Sequence, residues 1–197
     1  MDYFGARQDL ENKIIRILYT LSFVEDPTRV FRAVRFEQRY DFTMEPQTLE
    51  LAKKAIRDNW LQKLSYDRIR EELKHSFNEE FPVKAINRML ELGLWETILP
   101  EIQLDEEITR VLNNLPQANK LVAREMENAR EFHPWLTYLA ALVHQLEPAK
   151  VHDICARLKL SSWETVIIQE TVEKWEAGLE LIQGDESIPF STVAGAL

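Results

Sequence analysis

The chain has 197 residues, 45% of them hydrophobic and 29% charged, with a net charge of −9; this is a globular composition with room for one large domain or two small ones. Five glycines argue against a turn-rich β protein, and 33 acids against 24 bases mean that any nucleic-acid contact must come from locally concentrated bases. The single cysteine, Cys155, permits no internal disulfide and fits a reducing compartment. No signal-peptide pattern opens the chain and no apolar run approaches the ~20 residues of a membrane span, so the expectation is a cytoplasmic protein without a membrane partner.

In chain order, Asp2-Tyr-Phe-Gly5 is turn-like, and Lys13-Ile-Ile-Arg-Ile-Leu-Tyr19 has the β-branched content of a short strand. A lone strand cannot satisfy its own backbone, and no partner is visible in the sequence, which points to a larger domain beginning upstream. Helical signals start at Glu25. The first helix covers about 25–40 and is followed by a connector, Asp41 to Glu45. Pro46 opens a second helix running to about Asp58. Ser65 caps a third, Tyr66–Phe77, with Ile69 and Leu73 on one face. Pro82 opens a fourth, ended by Gly93 as a C′ glycine. Leu94–Ile98 reads as a short turn before Pro100. Glu106–Leu115, Asn119–Phe132, Pro134–Gln145, Pro148–Leu158 and Ser162–Ile182 read as further helices. The fold class is therefore mainly all-α, an array of about nine or ten helices, with at most one short N-terminal strand.

The most informative segment is Glu25-Asp-Pro-Thr-Arg-Val-Phe-Arg-Ala-Val-Arg-Phe-Glu-Gln-Arg39. Pro27 suits a first turn, and Asp26 suits an N-cap at the positive end of the helix dipole. At about 100° per residue, Asp26, Arg29, Arg32, Arg35 and Arg39 share one half of the helix, and Val30, Phe31 and Val34 share the other. Asp26 and Arg29, three residues apart, reach the same region of space. An acceptor beside a donor matches the edge of adenine (amino group beside N1) and of cytosine (amino group beside N3). Guanine and uracil present the reverse order and would leave groups unpaired, at about 1–3 kcal/mol each. Arg32 and Arg35 suit phosphates through their planar forks. On spacing alone, an arginine row also reads as a solvated helix face. Phe36, set among the arginines, is the residue such a face does not call for.

Glu25-Asp-Pro-Thr-Arg-(x5)-Arg-Phe36 strongly resembles the nucleotide-selecting motif of class II tRNA nucleotidyltransferases and bacterial poly(A) polymerases. Phe4-Gly-Ala-Arg-Gln-Asp-Leu10 and Ile14-Ile-Arg-Ile-Leu18 resemble the segment that closes the catalytic head of that family. Ser65-Tyr-Asp-Arg-Ile-Arg-Glu-Glu-Leu73 resembles its later neck motif. Asn87-Arg-Met-Leu-Glu-Leu-Gly-Leu94 with Leu99-Pro-Glu101 resembles the start of its helical body. The resemblance implies three regions: 1–24 as the end of the head, 25–80 as a base-selecting and RNA-binding neck, and 81–197 as a helical body that contacts RNA or acts as a spacer. It implies an enzyme adding AMP, or CMP and AMP, to the 3′ end of tRNA or another RNA, from ATP (or CTP) with Mg²⁺; DNA is not implied as a partner. Asp26 and Arg29 would hold the incoming base edge, Arg32 and Arg35 would complete the nucleotide pocket, and Glu25 would orient the reading pair. Arg68 and Glu72 would support the neck. The Gly-rich loop, the paired metal-binding aspartates and the Arg-Arg-Asp motif of the family's head do not occur here. Without carboxylates to clamp two metal ions, the chain by itself is expected to be inactive, with no catalytic residue and no metal ligand of its own.

The second half carries weaker signals. Trp135-Leu-Thr-Tyr-Leu-Ala-Ala-Leu-Val-His144 faintly resembles the helix of His-Asp phosphohydrolases, but Gln145 stands where that pattern needs Asp, and His152-Asp153 has no matching upstream histidines. Cys155, between Ile154 and Ala156, reads as packing. The alternative to an enzyme part is a non-catalytic helical module that binds RNA or protein.

Overall fold

A computed structural model describes residues 5–125 and 133–175. The chain divides into two compact units, Met1–Pro100 and Glu101–Leu197. Among the described residues there are eleven α-helices and one two-stranded sheet, so the all-α expectation holds.

In the first unit, α1 (Ala6–Glu11), β1 (Ile14–Ile15) and α2 (Ser22–Glu25) lead into α3 (Thr28–Tyr40). Then follow β2 (Thr43–Met44), α4 (Pro46–Arg57), a 3₁₀ turn (Trp60–Lys63), α5 (Tyr66–Phe77), α6 (Pro82–Glu91) and α7 (Leu94–Ile98). Of the strand expected over Lys13–Tyr19, only Ile14 and Ile15 form one, and its partner lies within the chain. β1 runs parallel to β2, pairing Ile14 with Thr43 and Ile15 with Met44, with Thr43 N–H donating to Lys13 C=O at 2.9 Å and Glu45 N–H to Ile15 C=O at 3.0 Å. The segment read as a connector is this partner strand. α3 ends at Asp41 in the left-handed region (φ 54°), which a short polar side chain tolerates, and the chain turns back at once into β2. Glu45 then caps α4 by accepting from Thr48 N–H at 2.8 Å, ahead of Pro46.

The single helix expected over 25–40 is two helices broken at Asp26 and Pro27. α3 buries Val30, Phe31, Val34 and Ala33 against α5 and α6, the face predicted to pack. Ile69, Leu73 and Phe77 of α5 and Ile86 and Met89 of α6 complete that core. Ser65 stands at the N-cap of α5 without a side-chain capping bond. Leu94–Ile98, expected as a turn, is a helical turn because it carries Trp95, Leu94 and Ile98 into the core. Trp95 is fully buried, and its Nε1–H donates to Ile86 C=O at 3.2 Å, so the ring's one polar atom is satisfied. Gly93, at φ 76°, makes the reversal between α6 and α7, a conformation open to glycine at no steric cost.

One buried charge ties these elements together. Glu37 of α3 is 4% exposed. Its carboxylate accepts from Arg88 Nε at 2.8 Å and from the Met44 backbone N–H at 2.9 Å. It thus links α3, β2 and α6, which is how a buried carboxylate is made tolerable.

In the second unit, α8 (Glu106–Glu125), α9 (Pro134–Val143), α10 (Pro148–Arg157) and α11 (Ser162–Glu173) are described. α9 is the central element. Trp135, Leu136 and Tyr138 through Val143 are all buried, and the helix packs against α8 and α11. The two helices expected at 106–115 and from 119 are one, running through Pro116. Proline in a helix interior removes one hydrogen bond and costs about 3 kcal/mol, yet the helix continues, with Ile108 and Leu112 buried before it and Asn119 bonded to Thr137 of α9 at 2.9 Å after it. Asp105 accepts from Ile108 N–H at 2.7 Å at the start of α8, and a Ser161–Glu164 capping box starts α11. The part of the last predicted helix beyond residue 175, and 126–132 of the earlier one, lie outside the described residues. No described helix is long and apolar enough to cross a membrane.

Candidate functional site

The break between α2 and α3 sets the geometry of the conspicuous motif. Asp26 is extended (φ −141°, ψ 92°), and Pro27, not Asp26, occupies the N-cap backbone position of α3. The Asp26 carboxylate still serves the first turn. Its Oδ1 accepts from Thr28 N–H at 3.2 Å and from the Thr28 hydroxyl at 2.6 Å. The same oxygen accepts from Arg68 Nη2 of α5 at 2.8 Å; none of the three bonds involves Oδ2. Burial pushes the Asp26 carboxyl up, but the two Thr28 bonds and the Arg68 charge outweigh it and hold it below the usual carboxylate range. Asp26 is therefore an anion at neutral pH.

Arg29, one turn on, is tethered through Nη1. This nitrogen donates toward the Tyr19 hydroxyl at 3.1 Å, Ser22 C=O at 3.1 Å and the Ser22 hydroxyl at 2.8 Å. Three acceptors share the two hydrogens of one nitrogen, whereas Nη2 and Nε take part in none of these bonds. The Tyr19 hydroxyl donates in turn to the Glu25 carboxylate. Asp26 and Arg29 are thus each fixed by a separate set of partners, and each keeps an unused polar edge.

The remaining arginines separate. Arg32 is exposed. Arg35 is only 15% exposed and lies 3.9 Å from Glu79 Oε1, an oxygen that also meets Arg39 Nη1 at 3.2 Å. The Arg35 guanidinium lies over the Phe36 ring, 4.9 Å from its centroid, which accounts for the aromatic residue among the arginines. Arg68, expected as neck support, touches the motif directly through Asp26. Glu72, also expected as support, lines an open cavity of about 210 Å³ with Thr28, Asp67, Arg68 and Glu71. Burial raises its carboxyl pKa, against the pull of Arg35, His75 and Arg32. Tyr19, Ser22 and Thr28 are site residues that the sequence reading missed.

Two histidines of the second unit have partners within it. His144 Nδ1 lies 2.9 Å from Ala141 C=O, and its ring stacks on Trp175 at 4.3 Å between centroids. His152 meets Gln169 at 3.2 Å. Among the described residues no group of three His, Cys, Asp or Glu side chains fits a metal ion.

A family described as "Probable RNA and SrmB- binding site of polymerase A" matches residues 41–105. The A-adding tRNA nucleotidyltransferase of Geobacter sulfurreducens is 40% identical over 163 residues, covering 82% of this chain and 18% of that enzyme. The corresponding enzyme of Aquifex aeolicus is 29% identical, over 83% of this chain and 20% of its own length. Among solved structures, the Thermotoga maritima CCA-adding enzyme complexed with tRNA superposes with a TM-score of 0.83 at 29% identity, over 100% of this chain and 47% of that one. This chain belongs to the tRNA nucleotidyltransferase and poly(A) polymerase family. A CCA-adding enzyme of that family in complex with ATP has a TM-score of 0.82 at 29% identity, over 100% of this chain and 46% of that one. The chain spans about a fifth of the length of these two curated family members and just under half of the two solved chains.

Proposed function

We propose that the chain forms the base-selecting neck and the body of an enzyme that adds AMP, or CMP and AMP, to the 3′ end of tRNA or another RNA. One observation carries this reading. Asp26 Oδ1 and Arg29 Nη1 are both consumed by protein partners, so the pair offers one acceptor, Oδ2, and one donor group, Nη2. That is the complement of the amino-and-ring-nitrogen edge of adenine or cytosine, and guanine and uracil oppose it at both positions. Family members named as A-adding and CCA-adding, and a CCA-adding enzyme solved with ATP and with CTP, support the choice of these two bases.

Exposed Arg32 suits the nucleotide phosphates. Arg35, held at Glu79, contributes from behind through its charge. Glu25 orients the reading pair, and Arg68 and Glu72 brace it from α5. RNA contact is supported by the match of residues 41–105 to the RNA-binding family, which falls almost wholly in the same unit. The Mg²⁺ of the intact enzyme would be held by its catalytic head. Work on tRNA ends supports the cytoplasmic placement.

The reading is tested by joining the chain to the catalytic head of a CCA-adding family member. The chimera is expected to transfer AMP from ATP to tRNA 3′ ends with release of pyrophosphate, and the 197-residue chain alone to transfer none. A folded chimera that transfers no nucleotide, beside an active parent enzyme, contradicts the proposal.

A further inference from the structure

We infer that Tyr19 is a positioning and specificity-determining residue of the base reader, and that Glu25 acts on Arg29 through it. This rests on the base-reading role proposed for Asp26 and Arg29. Tyr19 lies outside the Glu25–Arg39 motif, in the exposed stretch between β1 and α2. A 43% exposed tyrosine has no packing reason to be fixed, yet its hydroxyl sits between two charged groups. It donates to the Glu25 carboxylate, and its oxygen then accepts from Arg29 Nη1 at 3.1 Å. The polarity is forced. A carboxylate can only accept and a guanidinium can only donate, so the one hydroxyl proton points to Glu25 and the lone pairs to Arg29. Withdrawal of that proton toward a carboxylate makes the phenol oxygen a better acceptor for the guanidinium.

The consequence for base choice follows from which nitrogen is held. With Ser22 C=O and the Ser22 hydroxyl taking the same nitrogen from the other side, Nη1 cannot turn toward a base. Rotation of the guanidinium is restrained, and Nη2 is left as the donor for a base. Free rotation would let either nitrogen, at varying height, meet the base, and a loosely held donor discriminates poorly between N1 of adenine and N1–H of guanine. The Tyr19 ring adds a second restraint, with the Arg29 guanidinium carbon 6.0 Å from its centroid. Glu25 therefore has no need to touch Arg29; its carboxylate sets the hydroxyl, and the hydroxyl sets the arginine.

A double-mutant cycle on the full 197-residue chain tests this, with ATP and GTP as probes. Binding is followed by chemical-shift titration and the Arg29 side-chain NH resonances are recorded directly. Tyr19→Phe removes one oxygen and nothing else. It is expected to lower the ATP-over-GTP preference by about three- to tenfold, in line with loss of a charge-assisted bond, and to speed rotation of the Arg29 guanidinium. Glu25→Gln is expected to do the same in the wild-type background and to add nothing in the Tyr19→Phe background. The inference is overturned if Tyr19→Phe keeps the wild-type preference, or if the two changes add independently. A wild-type chain that binds ATP and GTP equally would overturn the base reader itself, a separate failure read from the first titration alone.

Discussion

Replacing Asp26 by asparagine changes one atom of the base reader, and its hydrogen-bond partners dictate which one. Asp26 Oδ1 accepts from Thr28 N–H and from Arg68 Nη2, two groups that can only donate. In Asp26→Asn the amide oxygen must therefore take the Oδ1 position, and the NH₂ group takes the place of Oδ2. The reader then presents two donors. Adenine keeps its match at N1 with Arg29 but sets its amino group against the new NH₂. Guanine gains a bond from that NH₂ to O6 but still sets N1–H against Arg29. Each base has one match and one clash, so the preference vanishes and does not invert. Adenine loses one match and guanine gains one, each worth about 1–3 kcal/mol; at about 1.4 kcal/mol to a factor of ten, the ratio of ATP to GTP should fall by roughly thirtyfold or more. The assay is competitive incorporation of ATP and GTP by the chimera, wild type against Asp26→Asn. Retention of the wild-type ratio within about twofold would refute the assignment of Oδ2 as the base acceptor, because the chemistry at that atom has been reversed.

Glu37→Ala leaves the buried Met44 N–H and the Arg88 guanidinium without their carboxylate. Arg88 retains Glu91 at 2.7 Å, so the loss should lie near the lower end of the ~3–5 kcal/mol of a broken buried pair, read as a shift of the urea midpoint of the first unit followed by Trp95 fluorescence. Asp26, with a carboxyl held down in the folded state, adds stability that is complete above the unfolded carboxyl range and is lost as pH falls through the folded value; Arg68→Ala should move the Asp26 carboxyl upward in a side-chain carboxyl NMR titration and shift that acid loss to higher pH. The Cys155 thiol, buried at 1% exposure with its pKa pushed up to about 11 by burial, should resist a thiol reagent at pH 8 in the native chain and react fully in denaturant.

What was legible in the sequence was whatever is local. The bounds of α5, Tyr66–Phe77, and the buried face of α3 follow from helical spacing and from polar residues at the ends. The motif's residue types followed from their order. The partners of those residues did not, because each lies on another element. Asp26 meets Arg68 across 42 residues and Arg29 meets Tyr19 across ten, and nothing in a 3.6-residue period announces either. A tyrosine between a strand and a four-residue helix carries no periodic signal; its only clue was a hydroxyl upstream of an acid and an arginine. The β1–β2 pair was missed on one side because two residues, Thr43 and Met44, are too few to show alternation.

The most direct test of the central claim is a titration of the wild-type 197-residue chain with each of the four nucleoside triphosphates, with the Arg29 side chain and the Asp26 carboxyl as reporters. Saturable shifts are expected at both groups with ATP and CTP, and at neither with GTP and UTP. Equal shifts with all four, or shifts confined to Arg32 and Arg35, would show that the chain holds phosphates without reading the base.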